Sequence, residues 1–434
     1  MPNNKLPMTR LLLLTASFFM PTLAIAKDIN QSNTAWILTS TALVLFMTIP
    51  GLSLFYGGLV RSKNVLSILM QCFSITCLVS ILWLAGAYSL IFADGRSIQP
   101  ILGSLEKAFL PDITTTVLIG DLPETVYFMF QMTFAIITPA LIVGGFAERM
   151  KFSAMLWFSG LWLILVYVPI CHWIWGGGWL STLGVKDFAG GIVIHINAGV
   201  AALITAIVLG KRKGFPHVAM PPHNMTMVVT GAGMLWFGWF GFNGGSALTA
   251  DGAAGMAILV THIAAAAGAL TWMIIEWRRF KKPSVLGIVT GMVAGLGTIT
   301  PASGFVGPLG GFVIGVTAGI VCFYATHYVK RTLKIDDSLD VFPVHGIGGI
   351  VGSLLTGVFA AAEFGGLGLP DGISIGQQIY IQAVAIIVTI AWSAIFSFLI
   401  LKILEKSIGL RVSSDEEMQG LDIVLHEETG YHSL

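Results

Sequence analysis

Charge is what this chain has least of. Only 10% of its 434 residues are Asp, Glu, Lys or Arg, against 55% apolar residues, and the formal net charge is +1. A soluble domain carries about a quarter charged residues, so a water-facing globular surface is excluded. No basic face stands out, which gives no reason to expect nucleic acid. Cysteine is scarce too: Cys72, Cys77, Cys171 and Cys322 all fall inside apolar segments, where free cysteine acts as a small hydrophobe, and their spacing fits neither a disulfide framework nor a zinc site. The glycine-rich stretches are not followed by Gly-Lys-Ser/Thr, so they are not phosphate loops. Segments outside the apolar runs are also few. Only residues 93–124 and 405–434 are sizeable polar pieces, and neither is large enough for a catalytic domain.

What is abundant is apolar sequence of membrane-spanning length. The pattern predicts an all-α polytopic membrane protein with about eleven spans, at 34–57, 66–92, 125–146, 152–175, 190–210, 225–246, 253–277, 284–302, 307–329, 342–361 and 377–404. Before them, Lys5 and Arg10 precede an apolar run over 11–20, and Ala24-Ile25-Ala26 offers small residues for cleavage. This reads as a secretory signal over 1–26, followed by a transport domain over 27–404 and a tail over 405–434; an uncleaved first span is the alternative. Loops after odd-numbered spans carry most of the basic residues, among them Arg61, Arg149, Lys211 to Lys213 and Arg278, while the opposite loops hold only Arg96, Lys107 and Lys186. The positive-inside rule then places the mature N-terminus outside and the tail in the cytoplasm.

The two halves of the chain match in three places. Phe55-Tyr56-Gly57-Gly58 resembles Phe242-Asn243-Gly244-Gly245, and Ile137-Thr138-Pro139-Ala140 recurs as Ile299-Thr300-Pro301-Ala302. The third match is Asp-x7-His-x3-Gly, from Asp187 through His195 to Gly199 and from Asp337 through His345 to Gly349. Five spans per half give the second half the opposite polarity, an inverted repeat with one extra helix, and sites in such folds lie near the midplane where the repeats meet.

His195 and His345 are ionisable residues at membrane depth, which makes them functional candidates by default. A neutral imidazole donates at one nitrogen, accepts at the other and exchanges protons near neutral pH. A structural histidine between helices, or a haem ligand pair, are the competing readings; nothing else in the sequence supports haem. His172, His262 and His327 lack repeat partners and read as structural. Asp187 stands where a helix is about to start and reads equally as an N-cap or as a functional carboxylate; Asp337 has the same choice. Phe130, Phe134, Trp175, Trp239 and Phe242 gather near the outer ends of spans. They suit an interfacial belt or ring faces that hold a desolvated cation, a contact worth ~2 kcal/mol. Ser246, four residues beyond Phe242, adds an acceptor on the same face. The tail, with Asp415-Glu416-Glu417 at its middle, reads either as a solvated end or as a docking segment.

These residues together resemble an ammonium transporter of the Amt/Mep/Rh family. The specific stretch runs from Asp187-Phe188-Ala189-Gly190-Gly191 through His195-Ile196-Asn197 to Gly199, supported by Trp239-Phe240-Gly241-Phe242-Asn243, Ser246, the Ile299 to Ala302 stretch and Asp340-Val341-Phe342 leading to His345. The resemblance implies ammonium uptake by a homotrimer with one pore per subunit in the cell inner membrane, and no enzyme activity or cofactor. It implies an outer recruitment site of Trp175, Phe134 and Ser246, with Phe130 beside it and Asp187 supporting it. Phe134 and Phe242 would be a stacked gate, Trp239 and Thr300 pore-lining, and His195 and His345 the twin pore histidines. In the tail, residues 409–412 and 420–422 resemble the segment that meets a PII-type signalling protein, but Glu427 after His426 departs from the family pattern. An ammonium sensor signalling through the tail and a channel for neutral solutes are the rival functions.

Overall fold

The structure is a computed structural model and describes residues 28–431; the expected signal lies outside the described residues. Among them, ten helical segments are long and apolar enough to cross a bilayer: Gln31–Leu59, Ser62–Phe92, Glu124–Phe146, Phe152–Leu183, Gly191–Leu209, Met225–Gly244, Gly252–Phe280, Pro308–Thr332, Phe342–Phe359 and Ile375–Ser407. The shorter apolar helix Val285–Ile299 takes the eighth place in chain order, giving the eleven expected spans.

The boundaries follow local chemistry. Asn30, Asn224, Asp251, Ser284 and Ser374 cap spans one, six, seven, eight and eleven with side-chain oxygens, which satisfies free backbone donors at the helix start. Span four ends at Trp175 as expected; the chain then turns through Gly176 to Gly178, and a short helix, Trp179–Leu183, which was not expected, follows. Span eight stops at Ile299 rather than Ala302, and Pro301, which has no amide hydrogen to donate, lies just past its end. Span three, by contrast, runs straight through Pro139.

Burial sorts the spans into shells. Span three is buried over nearly its whole length and span five over most of it, while fewer than half of the residues in the apolar stretches of spans two and eleven are buried. A helix apolar on every side belongs in the middle of such a bundle, so spans three and five form its centre. Cys72, Cys171 and Cys322 are buried and all four thiols are free; Cys77 instead faces outward from span two.

The crossing of spans five and ten shows what the repeated Asp-x7-His-x3-Gly element does. A Cβ added at Gly199 would lie 2.4 Å from the Gly346 backbone, and one added at Gly349 would lie 2.8 Å from the Gly191 carbonyl and 3.2 Å from the His195 Cβ. Each glycine thus lets the other half's histidine segment approach backbone to backbone. The pairing of 199 with 346 and of 349 with 191 makes the crossing antiparallel, as an inverted repeat requires. Both histidines sit in π-helical turns, Gly191–Ile196 and Phe342–Gly346, wide turns that occur mostly at functional sites.

The polar ends are also ordered. Span two and the outer segment are stapled to span four by His172, whose ring nitrogens lie 2.6 Å from the Ile91 carbonyl of span two and 2.7 Å from that of Gln99, and by Trp173, which donates to the Ile101 carbonyl. The tail is not a solvated end: it forms two short helices, Ser414–Gln419 and Leu421–His426, packed on the loops at the same end of the bundle as Arg61 and Arg212.

Candidate functional site: buried cavities around paired histidines

A line of cavities threads the bundle. The outermost, of about 270 Å³, is lined by Tyr127, Phe130, Gln131, Phe134, Trp175 and Ser246, among others, so four of the residues expected at the recruitment site meet there. The Ser246 hydroxyl donates to the Phe242 carbonyl at 2.8 Å, which leaves its oxygen lone pairs free to accept. Trp175 is fixed by its indole N–H on the backbone carbonyl of Asp187 at 2.8 Å. Asp187 therefore supports this site through its backbone, while its carboxylate does something else. It accepts from the amides of Gly190, Ile192 and Val193, capping the turn that carries His195. Burial pushes its carboxyl up to about 6 against the downward pull of those amides. Asp337 mirrors it, accepting from the Phe342 amide at 2.7 Å and so capping the His345 turn. The capping reading holds for both aspartates.

Phe134 of the outer cavity meets Phe242, which lines the next one. Phe134 and Phe242 have centroids 4.6 Å apart at an interplanar angle of 69°. The two rings, expected as a stacked gate, meet edge to face rather than stacked, the arrangement that brings a positive ring edge onto a negative ring face. Phe130 packs on Phe134 at 90° and Trp175 lies 6.0 Å from it.

Past these rings lies a cavity of only about 10 Å³ among Met47, Leu52, Phe55, Ile137, Leu141, Leu235, Trp239, Phe242, Val293 and the two histidines. That is room for roughly one water-sized molecule. Its wall is apolar except for the imidazoles. His195 and His345 face each other with Nδ1 atoms 3.2 Å apart and rings nearly parallel at 17°. A hydrogen bond between these nitrogens needs one donor and one acceptor, so the two rings hold opposite tautomers when both are neutral. The Nε2 of His195 is buried without a partner. Trp239 stacks on His195 at 5.5 Å and donates to the Thr300 hydroxyl at 2.9 Å; Thr300 thus orients a pore-lining ring rather than lining the bore itself. On the inner side a vestibule of about 220 Å³ opens between Phe55, Tyr56, Glu276, His327, Lys330, Asp340 and His345.

The repeat partners Phe55 and Phe242 both line the bore, one shared with the inner vestibule, the other paired with the outer gate. Sequence reasoning missed Tyr127 and Gln131, the polar partners in the outer cavity, which look like ordinary span residues. It also missed a cluster of long-range ion pairs at the inner end, Arg61 to Glu148, Arg212 to Glu148 and Arg212 to Asp336, the last two at 2.8 Å. The only signal for these was an acidic residue beside each basic loop.

Known proteins of the same build agree. The profile described as Ammonium Transporter Family matches residues 35–431. An ammonium transporter of Bacillus subtilis is 48% identical over 90% of this chain and 96% of its own length, and Amt1 of Archaeoglobus fulgidus is 44% identical over 93% and 100%. Among solved structures, a sensor Amt protein superposes with a TM-score of 0.85 at 31% identity over 91% of this chain and 98% of its own. Mep2 of Saccharomyces cerevisiae superposes at 0.82 with 36% identity, covering 91% and 90%. An antiparallel pair of histidine helices in an eleven-span bundle, matched end to end in sequence, makes this chain a multi-pass membrane protein of the ammonium transporter family.

Proposed function

We propose that ammonium is recruited in the outer cavity, gives up a proton near the Phe134 and Phe242 gate, and crosses the bore as ammonia while the proton moves separately along His195 and His345. The observation that carries this reading is the imidazole pair, 3.2 Å apart, in a bore of about 10 Å³ walled by apolar side chains. An intact cation there would have neither water nor a counter-charge, at a cost of ~2.5 kcal/mol or more. Ammonia avoids most of that cost, and two rings sharing one hydrogen bond can pass a proton by exchanging tautomers. Potassium has no proton to release, so selectivity comes from chemistry that size alone cannot supply.

The finer setting belongs to the same proposal. Loop charge orients the tail to the cytoplasm of the cell inner membrane. His262 is an exposed residue in the middle of span seven, its ring beside Trp236 and Phe240, and an ionisable side chain at that depth is normally covered by protein, which supports self-association; the homotrimer with one pore per subunit is the assembly that the family resemblance implies. The ordered tail, with Glu417 and Asp422 buried against the loops, presents a defined cytoplasmic surface for a PII-type regulator. A sensor role with incidental flux is the second reading, favoured by the likeness to a sensor Amt protein. Currents recorded on proteoliposomes after matched ammonium and potassium pulses test the transport reading: it requires current with ammonium and none with potassium. Equal responses to both cations, or none to either, would exclude it.

A further inference from the structure

Among the described residues, three basic side chains stand in the loops at the end of the bundle that holds the outer cavity: Arg96, Lys107 and Lys186. Arg96 is paired with Glu106 and Lys107 with Glu124. Lys186 differs. Among the described residues it makes no ion pair, and its Nζ lies instead over the Phe305 ring, 4.6 Å from the centroid. The adjoining Asp187 carboxylate is turned onto the amides of Gly190, Ile192 and Val193. Lys186 is half-buried, and burying a charge without a counter-charge costs free energy that a ring face offsets only in part.

The lysine is fixed beside the outer cavity. Gln382 of span eleven accepts from the Lys186 amide at 2.8 Å and donates to the Lys186 carbonyl at 2.7 Å, a two-bond clamp on a single residue. The next two residues build the cavity wall. The Asp187 carbonyl accepts from the Trp175 indole at 2.8 Å, and Phe188 lines the cavity while its ring meets that of Phe305 edge to face, with centroids 5.6 Å apart. The ring that carries the lysine charge thus touches the ring that walls the cavity.

We propose that Lys186 sets the affinity of the outer cavity for ammonium by repulsion: a fixed positive charge, clamped beside a site that admits a cation, raises the concentration at which that site fills. A lysine headgroup and an ammonium ion carry the same charge and offer only hydrogen-bond donors, so nothing between them offsets the repulsion. With two rings between the charges the effect is about threefold, between the limits for bulk water and for a protein surface. Conduction requires a site weak enough to release what it binds, and a neighbouring cation weakens this one without removing any of its contacts. The proposal rests on the reading of the outer cavity as the recruitment site, and the test separates the two.

Three variants of the full-length protein, in vesicles of zwitterionic lipid that add no surface charge, carry the test. Lys186→Met keeps an apolar stem on Phe305 and removes the charge, Lys186→Glu reverses it, and Lys186→Arg retains it. The ammonium concentration for half-maximal current is read at ionic strengths of ~0.01 M and ~1 M, where charges are screened beyond ~30 Å and ~3 Å. At the lower ionic strength it is expected to fall about threefold in Lys186→Met, further in Lys186→Glu, and to stay at the wild-type value in Lys186→Arg. At the higher ionic strength the differences are expected to narrow. A value at or above wild type in Lys186→Met would overturn the proposal. So would an equal fall in Lys186→Met and Lys186→Glu at both ionic strengths, which would assign the effect to packing on Phe305. Ser246→Ala identifies which reading has failed. If it raises the half-maximal concentration while Lys186→Met changes nothing, the recruitment site stands and the role of the lysine is refuted; if neither variant moves it, both are refuted.

Discussion

Ser246 and Asp337 each put one residue's chemistry to a direct test. Because the Ser246 hydroxyl spends its proton on the Phe242 carbonyl, its contribution to an ammonium ion is one accepted hydrogen bond to a charge. Ser246→Ala is expected to raise the concentration for half-maximal current by about tenfold, the size of one charge-assisted hydrogen bond, with maximal current unchanged; a titration of current against ammonium measures both. Asp337 differs from the usual paired carboxylate. Burial, and then the nearby Asp340 carboxylate, push it up to about 7, against the backbone donors of Phe342 and Val341. An unfolded aspartate titrates near ~3.9. Between these values the folded protein holds a proton that the unfolded chain has released, so this group's contribution to stability falls as pH rises. Asp337→Asn should therefore raise the melting temperature in detergent more at pH 8 than at pH 5. A gain that is equal at both, or larger at pH 5, would show that the carboxylate is not held this way.

At the scale of elements, the spans were legible because each is an uninterrupted apolar run, and the pairing of halves was legible because the same three motifs recur in the same order. The antiparallel crossing of the two histidine turns follows from that order. Less legible was anything that depends on partners far apart in the chain. Arg149 and Arg212 read as loop charges that orient the protein, and only folding places them against residues 336–338, more than a hundred positions away. The indole of Trp175 is held by the backbone carbonyl of Asp187, a role that carries no signature in residue type. The crossing itself makes a prediction. Gly199→Val places side-chain atoms where the Gly346 backbone already lies, and is expected to cost about 1–3 kcal/mol and to part the imidazoles. Gly255→Ala, where an added Cβ meets nothing within 4 Å, is the matched control. Thermal unfolding of the two variants in detergent should separate them, and equal melting temperatures would contradict the close approach.

For the whole molecule, the outward surface holds mostly apolar side chains, as a bilayer requires, with His262 as an exception in the middle of a span. If a second copy covers it, His262→Asp should shift the wild-type particle from three chains toward smaller species in native mass spectrometry, while a wild-type protein that runs as one chain would exclude the trimer. Crossing as ammonia requires that the proton released near the gate move separately along the paired rings. The most direct measurement is the charge moved per pulse on proteoliposomes holding wild type, His195→Ala or His345→Ala, with ammonium and then potassium outside. The predicted result is that each alanine variant either loses the ammonium current or admits potassium. Wild-type charge movement and wild-type exclusion of potassium in both variants would contradict it.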